Sequence, residues 1–224
     1  MEKLRRLVIV GTGEMALLAH QYFTYDSPYT VVAFSAERSH LDSPEIEGLP
    51  VVPLEELAQH FPPGGHDAFV AISATGLNRL RTRLYCEVKA QGYTCASYVS
   101  TRAFVWKNAR VGENSFIFEH NTIQPFVTIG NNVIMWSGNH VGHRTVIENN
   151  CFVASHVAIS GFCSIGSSSF LGVNSTFNDR TSLAPDCVVA SGALVTKSLT
   201  EPGRIYYGSP ARAMEGKSSF EVAF

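Results

Sequence analysis

From Val105 onward every sixth residue is apolar: Val105, Val111, Ile117, Ile123, Ile129, Met135, Val141, Ile147, Val153, Ile159, Ile165, Leu171, Phe177, Leu183, Val189 and Val195. The run holds for sixteen positions without an insertion. A period of six fits neither an α-helix, at about 3.6 residues per turn, nor a simple strand, at about two. The position two residues before each of these is short (Ala, Ser, Thr, Cys, Val or Asn) and never aromatic or long. One large and one small inward position per six residues describes one side of a triangular coil. Three sides make about 18 residues, and successive coils stack as parallel strands about 4.8 Å apart. The pattern predicts a hexapeptide β-helix of about five coils from Val105 onward. Glycine follows the large residue at Gly112, Gly130, Gly142, Gly166 and Gly172. That placement predicts sharp corners with unusual dihedrals.

The N-terminal third follows another rule. Leu7–Val10 reads as a buried strand, and Gly11-Thr12-Gly13 turns it into a helix from about Met15 to Tyr22. Further strands are expected at Tyr29–Phe34, Val51–Val52, Ala68–Ile72 and Tyr93–Val99. Leu77, Leu80, Leu84 and Val88 recur at helical spacing, with Arg79, Arg81, Arg83 and Lys89 on the solvated side. Strands alternating with helices imply a small parallel sheet. Pro62-Pro63-Gly64-Gly65 is a loop within this domain. The expected organisation is thus α/β plus all-β: a Rossmann-like domain at 1–98, the coils at 99–213 and a tail at 214–224. Gly11-x-Gly13-x-x-Ala16 nearly matches the dinucleotide fingerprint, whose helix-start amides hold a phosphate; a plain tight turn is the other reading. Glu37, at the end of the second strand, is the candidate for the acid expected about 20 residues on. Half a Rossmann unit fits a single nucleotide better than a dinucleotide.

Composition narrows the classes. Only 16% of the 224 residues are charged and the net charge is −2, so no basic field exists to bind nucleic acid. No apolar run approaches the ~18 residues of a membrane span. The stretch Met1–Ala19 mimics a signal peptide through Lys3, Arg5 and Arg6, but Gly11, Gly13 and Glu14 interrupt it, so a first strand and turn is expected. Five cysteines without framework spacing favour free thiols in a reducing cytoplasm. Cys151, Cys163 and Cys187 occupy the small inward slot and are expected to be buried hydrophobes rather than nucleophiles.

The [LIV]-Gly-x-x-x-x hexads resemble those of left-handed β-helix acyltransferases. The segment Gly203-Arg204-Ile205-Tyr206-Tyr207-Gly208-Ser209-Pro210-Ala211-Arg212 resembles their Gly-x-Pro-Ala-Arg/Lys ending. With a Rossmann-like half domain in front, nearly the whole chain resembles the bacterial sialic-acid O-acetyltransferase family, which includes N-acetyltransferases acting on nucleotide-linked amino sugars. The resemblance implies a left-handed coil and a homotrimer. It also implies an N-terminal domain that cradles the nucleotide sugar, and acetyl-CoA lying in a groove between subunits. At His143 it implies the general base, and at Gly161 a donor to the acyl oxygen.

The residues support that chemistry independently. Trp136–His143 is dense in polar groups, and His143 falls two residues after an inward position, so it projects outward near a corner. Imidazole, with an ordinary pKa near 6.5, suits proton abstraction near neutral pH. One coil beyond His143 is Gly161, about 5 Å away by strand spacing, where a glycine admits close approach and offers an amide as oxyanion donor. His140 is the alternative base. Gly11, Gly13, Glu37, Asn139 and His140 form the expected substrate set. Gly142, Gly161, Lys197 and Arg212 form the expected set for acetyl-CoA, although the two cations read equally well as ordinary solvated charges. The best-studied relatives carry Glu directly after the base; here Arg144 stands, leaving Glu119 and Glu148 as nearby acids. Two rival readings remain. His120 and His156 are 36 residues apart and share a face, as in zinc sites of trimeric β-helices that hydrate carbon dioxide, but the expected third ligand position is Gly161. A non-catalytic trimeric scaffold is the other. The expected function is acetyl transfer to a nucleotide-linked amino sugar without a metal, with sugar O-acetylation as the alternative.

Overall fold

The structure is a computed structural model and describes residues 4–223; Met1–Lys3, including one basic residue of the leader-like stretch, and Phe224 lie outside the described residues. The chain divides into two compact units. One takes the described residues up to Ser73 together with Arg81–Tyr98; the other takes Ala74–Leu80 and the chain from Val99 onward. Two expectations change here. Ala74–Leu80 groups with the coils, not with the N-terminal domain, and residues after 213 belong to the coil unit instead of forming a separate tail.

The N-terminal unit is a five-stranded sheet of β1 (Arg5–Val10), β2 (Tyr29–Ala36), β3 (Glu45–Ile46), β4 (Leu49–Pro53) and β5 (Asp67–Val70), in the order β3-β4-β2-β1-β5. All neighbours are parallel except β3 with β4. Leu7 to Val10 are fully buried because β1 is a central parallel strand, which reads as a continuous apolar run, not an alternating one. Helix α1 (Glu14–Tyr25) buries Met15, Ala16, Ala19 and Phe23 on one face. Helix α2 (Leu57–His60) is a single turn, and α3 (Arg79–Ala90) buries Leu84 and Val88. Arg81, expected on the solvated side, is fully buried and donates to the carbonyls of Ile72 (3.3 Å) and Ser73 (2.8 Å). Its guanidinium thus caps backbone acceptors where β5 has ended. The expected strand at Tyr93–Val99 reduces to a bridge between Cys95 and Ala68 and the pair Tyr98–Val99.

The second unit is a three-sided parallel β-helix built from two-residue strands. Its register is 18 residues throughout: Phe104 opposes Thr122, then His140, Ala158, Thr176 and Leu194 follow in line. Ile117 to Val195 of the six-residue series are buried, while Val105 and Val111 at the first coil are only partly so. Cys151, Cys163 and Cys187 point inward and are buried, as thiols outside any disulfide.

The corners depart from the sequence expectation. From Val111 to Val189 the left-handed backbone falls three residues after each inward residue, at Asn114, His120, Phe126, Asn132, Gly138, Arg144 and onward to Gly192. Glycines such as Gly142 have a different reason: a Cβ there would lie 2.5 Å from the Gly161 nitrogen and the Ser160 carbonyl carbon. The next coil fills that space, so glycine is required by close approach, not by dihedral. Side-chain ladders steady the corners; Asn114 donates to Asn132 Oδ1 (2.8 Å), which in turn donates to Asn150 (2.9 Å). Asn78 and Arg79 anchor their segment to the coils, Arg79 reaching Ser168 Oγ (3.3 Å) and Asp186 (2.6 Å). Arg204–Tyr207 continues one face, parallel to Val188–Val189, and pairs antiparallel with Arg212–Ser218. Among the described residues no helix is long and apolar enough to cross a membrane.

Candidate active site

The coil register brings Pro125, His143, Gly161, Asp179 and Lys197 into one column at a corner, each two residues after an inward residue and one coil apart. His143 is exposed, and its backbone N–H donates to Gln124 Oε1 (2.9 Å). Its ring lies against Gly161: a Cβ on Gly161 would be 2.7 Å from His143 Cε1, 3.0 Å from Nδ1 and 3.1 Å from Asp179 Oδ1. Any side chain at 161 would collide with the imidazole, so Gly161 makes the notch into which His143 leans.

The Gly161 amide is also chemically open. At some corners the amide two residues after an inward position is taken: Glu113 N–H by Asn131 Oδ1 (3.0 Å), Asn131 N–H by Asn149 Oδ1 (2.8 Å). Among the described residues the Gly161 N–H meets no acceptor. An unspent N–H beside an exposed imidazole is the kind of pair that can supply an oxyanion donor and a base.

Two aromatic–cation pairs frame the column. Phe126, Arg144, Phe162 and Arg180 are stacked one residue further on, at the left-handed positions. The Arg144 guanidinium lies 4.5 Å from the Phe126 ring centre, and that of Arg180 lies 4.4 Å from Phe162. Phe162 in turn packs edge-on against His143, centroids 5.0 Å apart at 78°. Arg144, where an orienting acid was expected, is therefore engaged by Phe126. Neither Glu119 nor Glu148 hydrogen-bonds the imidazole; Glu119 accepts from Ser137 Oγ (2.7 Å). Asp179, Phe162 and Arg180 were missed in the sequence, although adding 18 or 36 to His143 and Arg144 locates all three.

The other expected residues separate. His140 is exposed on the flat face between Thr122 and Ala158, away from the corner column. Asn139 is a correction: it is buried, its amide donates to the Trp136 carbonyl and its Oδ1 accepts from Val157 N–H (2.7 Å), so it serves the coil, not a ligand. Gly142 is buried beneath Gly161. Lys197 and Arg212 are exposed. For the metal reading, His156 lies over Gly138, where a Cβ would be 2.6 Å from its Nδ1. Among the described residues no group of three or more His, Cys, Asp or Glu gathers that could hold a metal.

In the N-terminal unit, Gly11 and Gly13 differ. Gly11 has φ +131°, and a Cβ would be 2.7 Å from the Ala71 carbonyl oxygen. Gly13 caps α1 with ordinary extended backbone and open space around its missing side chain. No side chain caps α1, and among the described residues the Glu14 and Met15 amides meet no acceptor, leaving the helix start available to an anion. Glu37 is engaged by Arg83 in a bidentate pair (2.9 and 2.8 Å), which holds its carboxyl below the usual range.

No protein-family model and no curated protein matches this sequence. Solved structures do. PerB from Caulobacter crescentus, in complex with CoA and GDP-perosamine, is 26% identical, with 94% of this chain and 98% of that chain covered and a TM-score of 0.81. A variant of the perosamine N-acetyltransferase from the same organism, with the same two ligands, is 25% identical over 94% and 97% of the two chains at a TM-score of 0.83. The acetyltransferase domain of PglB from Neisseria gonorrhoeae superposes at a TM-score of 0.84 over 94% and 100%, at 21% identity, a likeness of fold.

Proposed function

We propose that this chain, an acyltransferase of the hexapeptide-repeat class with a Rossmann-like domain before a left-handed β-helix, transfers acetyl from acetyl-CoA to the amine of a nucleotide-linked amino sugar. The observation that carries the mechanism is His143 leaning against Gly161, whose N–H is unspent. In this reading the neutral sugar amine attacks the thioester carbonyl, His143 takes the proton its nitrogen loses, and the Gly161 amide holds the tetrahedral oxyanion. CoA leaves as the thiol. No acyl-enzyme is needed because a thioester is already activated, consistent with inward, buried cysteines.

Acetyl-CoA is read as lying along the coils, with Lys197 and Arg212 available to its phosphates; Gly142, buried under the next coil, is not part of that reading. The nucleotide diphosphate is read onto the start of α1 at Gly13, with Glu37 and Arg83 near the end of β2. A homotrimer in the cytoplasm completes the reading, since the family resemblance builds the CoA groove between subunits. Sugar O-acetylation uses the same base and oxyanion donor and is the runner-up.

The test is thiol release from acetyl-CoA with GDP-, UDP- and dTDP-linked 4-amino sugars, alongside the matching hydroxy sugars. Turnover with an amino sugar, and acetyl on nitrogen by mass spectrometry, is expected. Transfer only to hydroxy sugars would select the runner-up, and transfer to neither would refute the reading.

A further inference from the structure

We propose that Asp179 is the positioning carboxylate for His143, replacing the acid that would otherwise follow the base in sequence; this rests on the reading of His143 as base. Both groups close on the same side of Gly161. The missing Gly161 side chain would sit 3.0 Å from His143 Nδ1 and 3.1 Å from Asp179 Oδ1, so the two polar atoms are at most about 6 Å apart. That span suits one bridging water, at about 2.8 Å from each. Among the described residues Asp179 makes no hydrogen bond or ion pair. The neighbouring cations are held elsewhere, Arg144 over Phe126 and Arg180 over Phe162. Phe162 packs on the imidazole edge and restricts its rotation. Of the two ring nitrogens, Nδ1 is the nearer to the point that Asp179 Oδ1 also approaches. A carboxylate on that side favours the tautomer with hydrogen on Nδ1, leaving Nε2 bare as the base. Position 144, where the resemblance places the acid, holds an arginine stacked on Phe126 of the preceding coil instead.

Asp179→Asn is tested in the full chain by two readouts. One is ¹⁵N NMR of the His143 imidazole at about pH 9, where imidazole is neutral, assigned by His143→Ala. The other is steady-state kinetics. The variant is expected to shift the tautomer balance toward hydrogen on Nε2. It should lower kcat about 10- to 100-fold, less than loss of the base itself, with KM for acetyl-CoA within about twofold. Asp179→Glu should restore part of kcat. An unchanged tautomer balance, or a kcat within twofold of wild type, would overturn the proposal; were Asp179→Asn unfolded, Asp179→Ser is read the same way. A tautomer shift in a protein that acetylates no amino or hydroxy sugar would sink the functional reading and leave the positioning role standing.

Discussion

Gly11 and Gly13 sit two residues apart in one turn, yet the cost of replacing each by alanine should differ severalfold. At Gly11, φ of +131° is a region reached almost only by glycine, and holding alanine there costs about 1–3 kcal/mol. The added Cβ would also press to 2.7 Å on the Ala71 carbonyl oxygen, a backbone atom that cannot swing aside, for about another 1–3 kcal/mol. A loss of about 4 kcal/mol is a large part of the ~5–15 kcal/mol that holds a domain together. At Gly13 the backbone is extended and nothing lies within 4 Å of the new methyl, so the loss is below about 1 kcal/mol, mostly from a poorer helix cap. The α-helices begin in the N-terminal unit or run through it, while Trp106 and Trp136 lie in the coils. Urea unfolding followed by circular dichroism at the helical minimum and by tryptophan fluorescence therefore separates the units. Gly11→Ala should lower the helical midpoint and leave the tryptophan midpoint in place. Gly13→Val should keep both midpoints but weaken GDP or UDP binding in calorimetry, because side-chain bulk then stands at the helix start. Equal stability of Gly11→Ala and Gly13→Ala would refute the close-approach argument. Intact nucleotide affinity in folded Gly13→Val would remove the phosphate assignment.

His143→Ala should lower kcat about 10²–10⁴-fold with CoA binding unchanged by calorimetry; near-normal turnover there with an inactive His140→Ala would move the base to His140. Gly142→Ala puts a methyl 2.5 Å from backbone of the next coil, so its urea midpoint by tryptophan fluorescence should fall by the equivalent of about 1–3 kcal/mol and kcat should fall with it as the Gly161 amide moves. Glu37→Gln should cost about 0.5 kcal/mol at neutral pH, because the Arg83 pair is half exposed. The Glu37 carboxyl is held low in the folded protein, so that contribution is complete above its ordinary value of 4.5 and fades as pH falls through the folded value; wild type and variant should converge in acid unfolding curves.

Much of this architecture is legible without coordinates, because a β-helix is nearly one-dimensional: each residue's neighbours lie 18 positions away, so a pattern in sequence is a pattern in space. The inward series, the buried cysteines and the meeting of His143 with Gly161 all follow from that arithmetic. The same arithmetic contains Asp179, but a lone acid 36 residues from a histidine carries no signal until the glycine between them is seen to leave a notch. The parallel sheet and its Gly-x-Gly turn were equally readable, from a continuous apolar run and helical spacing. Tertiary structure alone decided the rest. Periodicity marks which residues turn a corner but not their dihedrals, so it assigned the left-handed backbone to Gly142 instead of Arg144. It put Arg81 in solvent because helical spacing cannot foresee carbonyls that need a buried donor. It offered Asn139 to a ligand because an amide that completes a coil and an amide that binds a sugar look the same until their partners are in place.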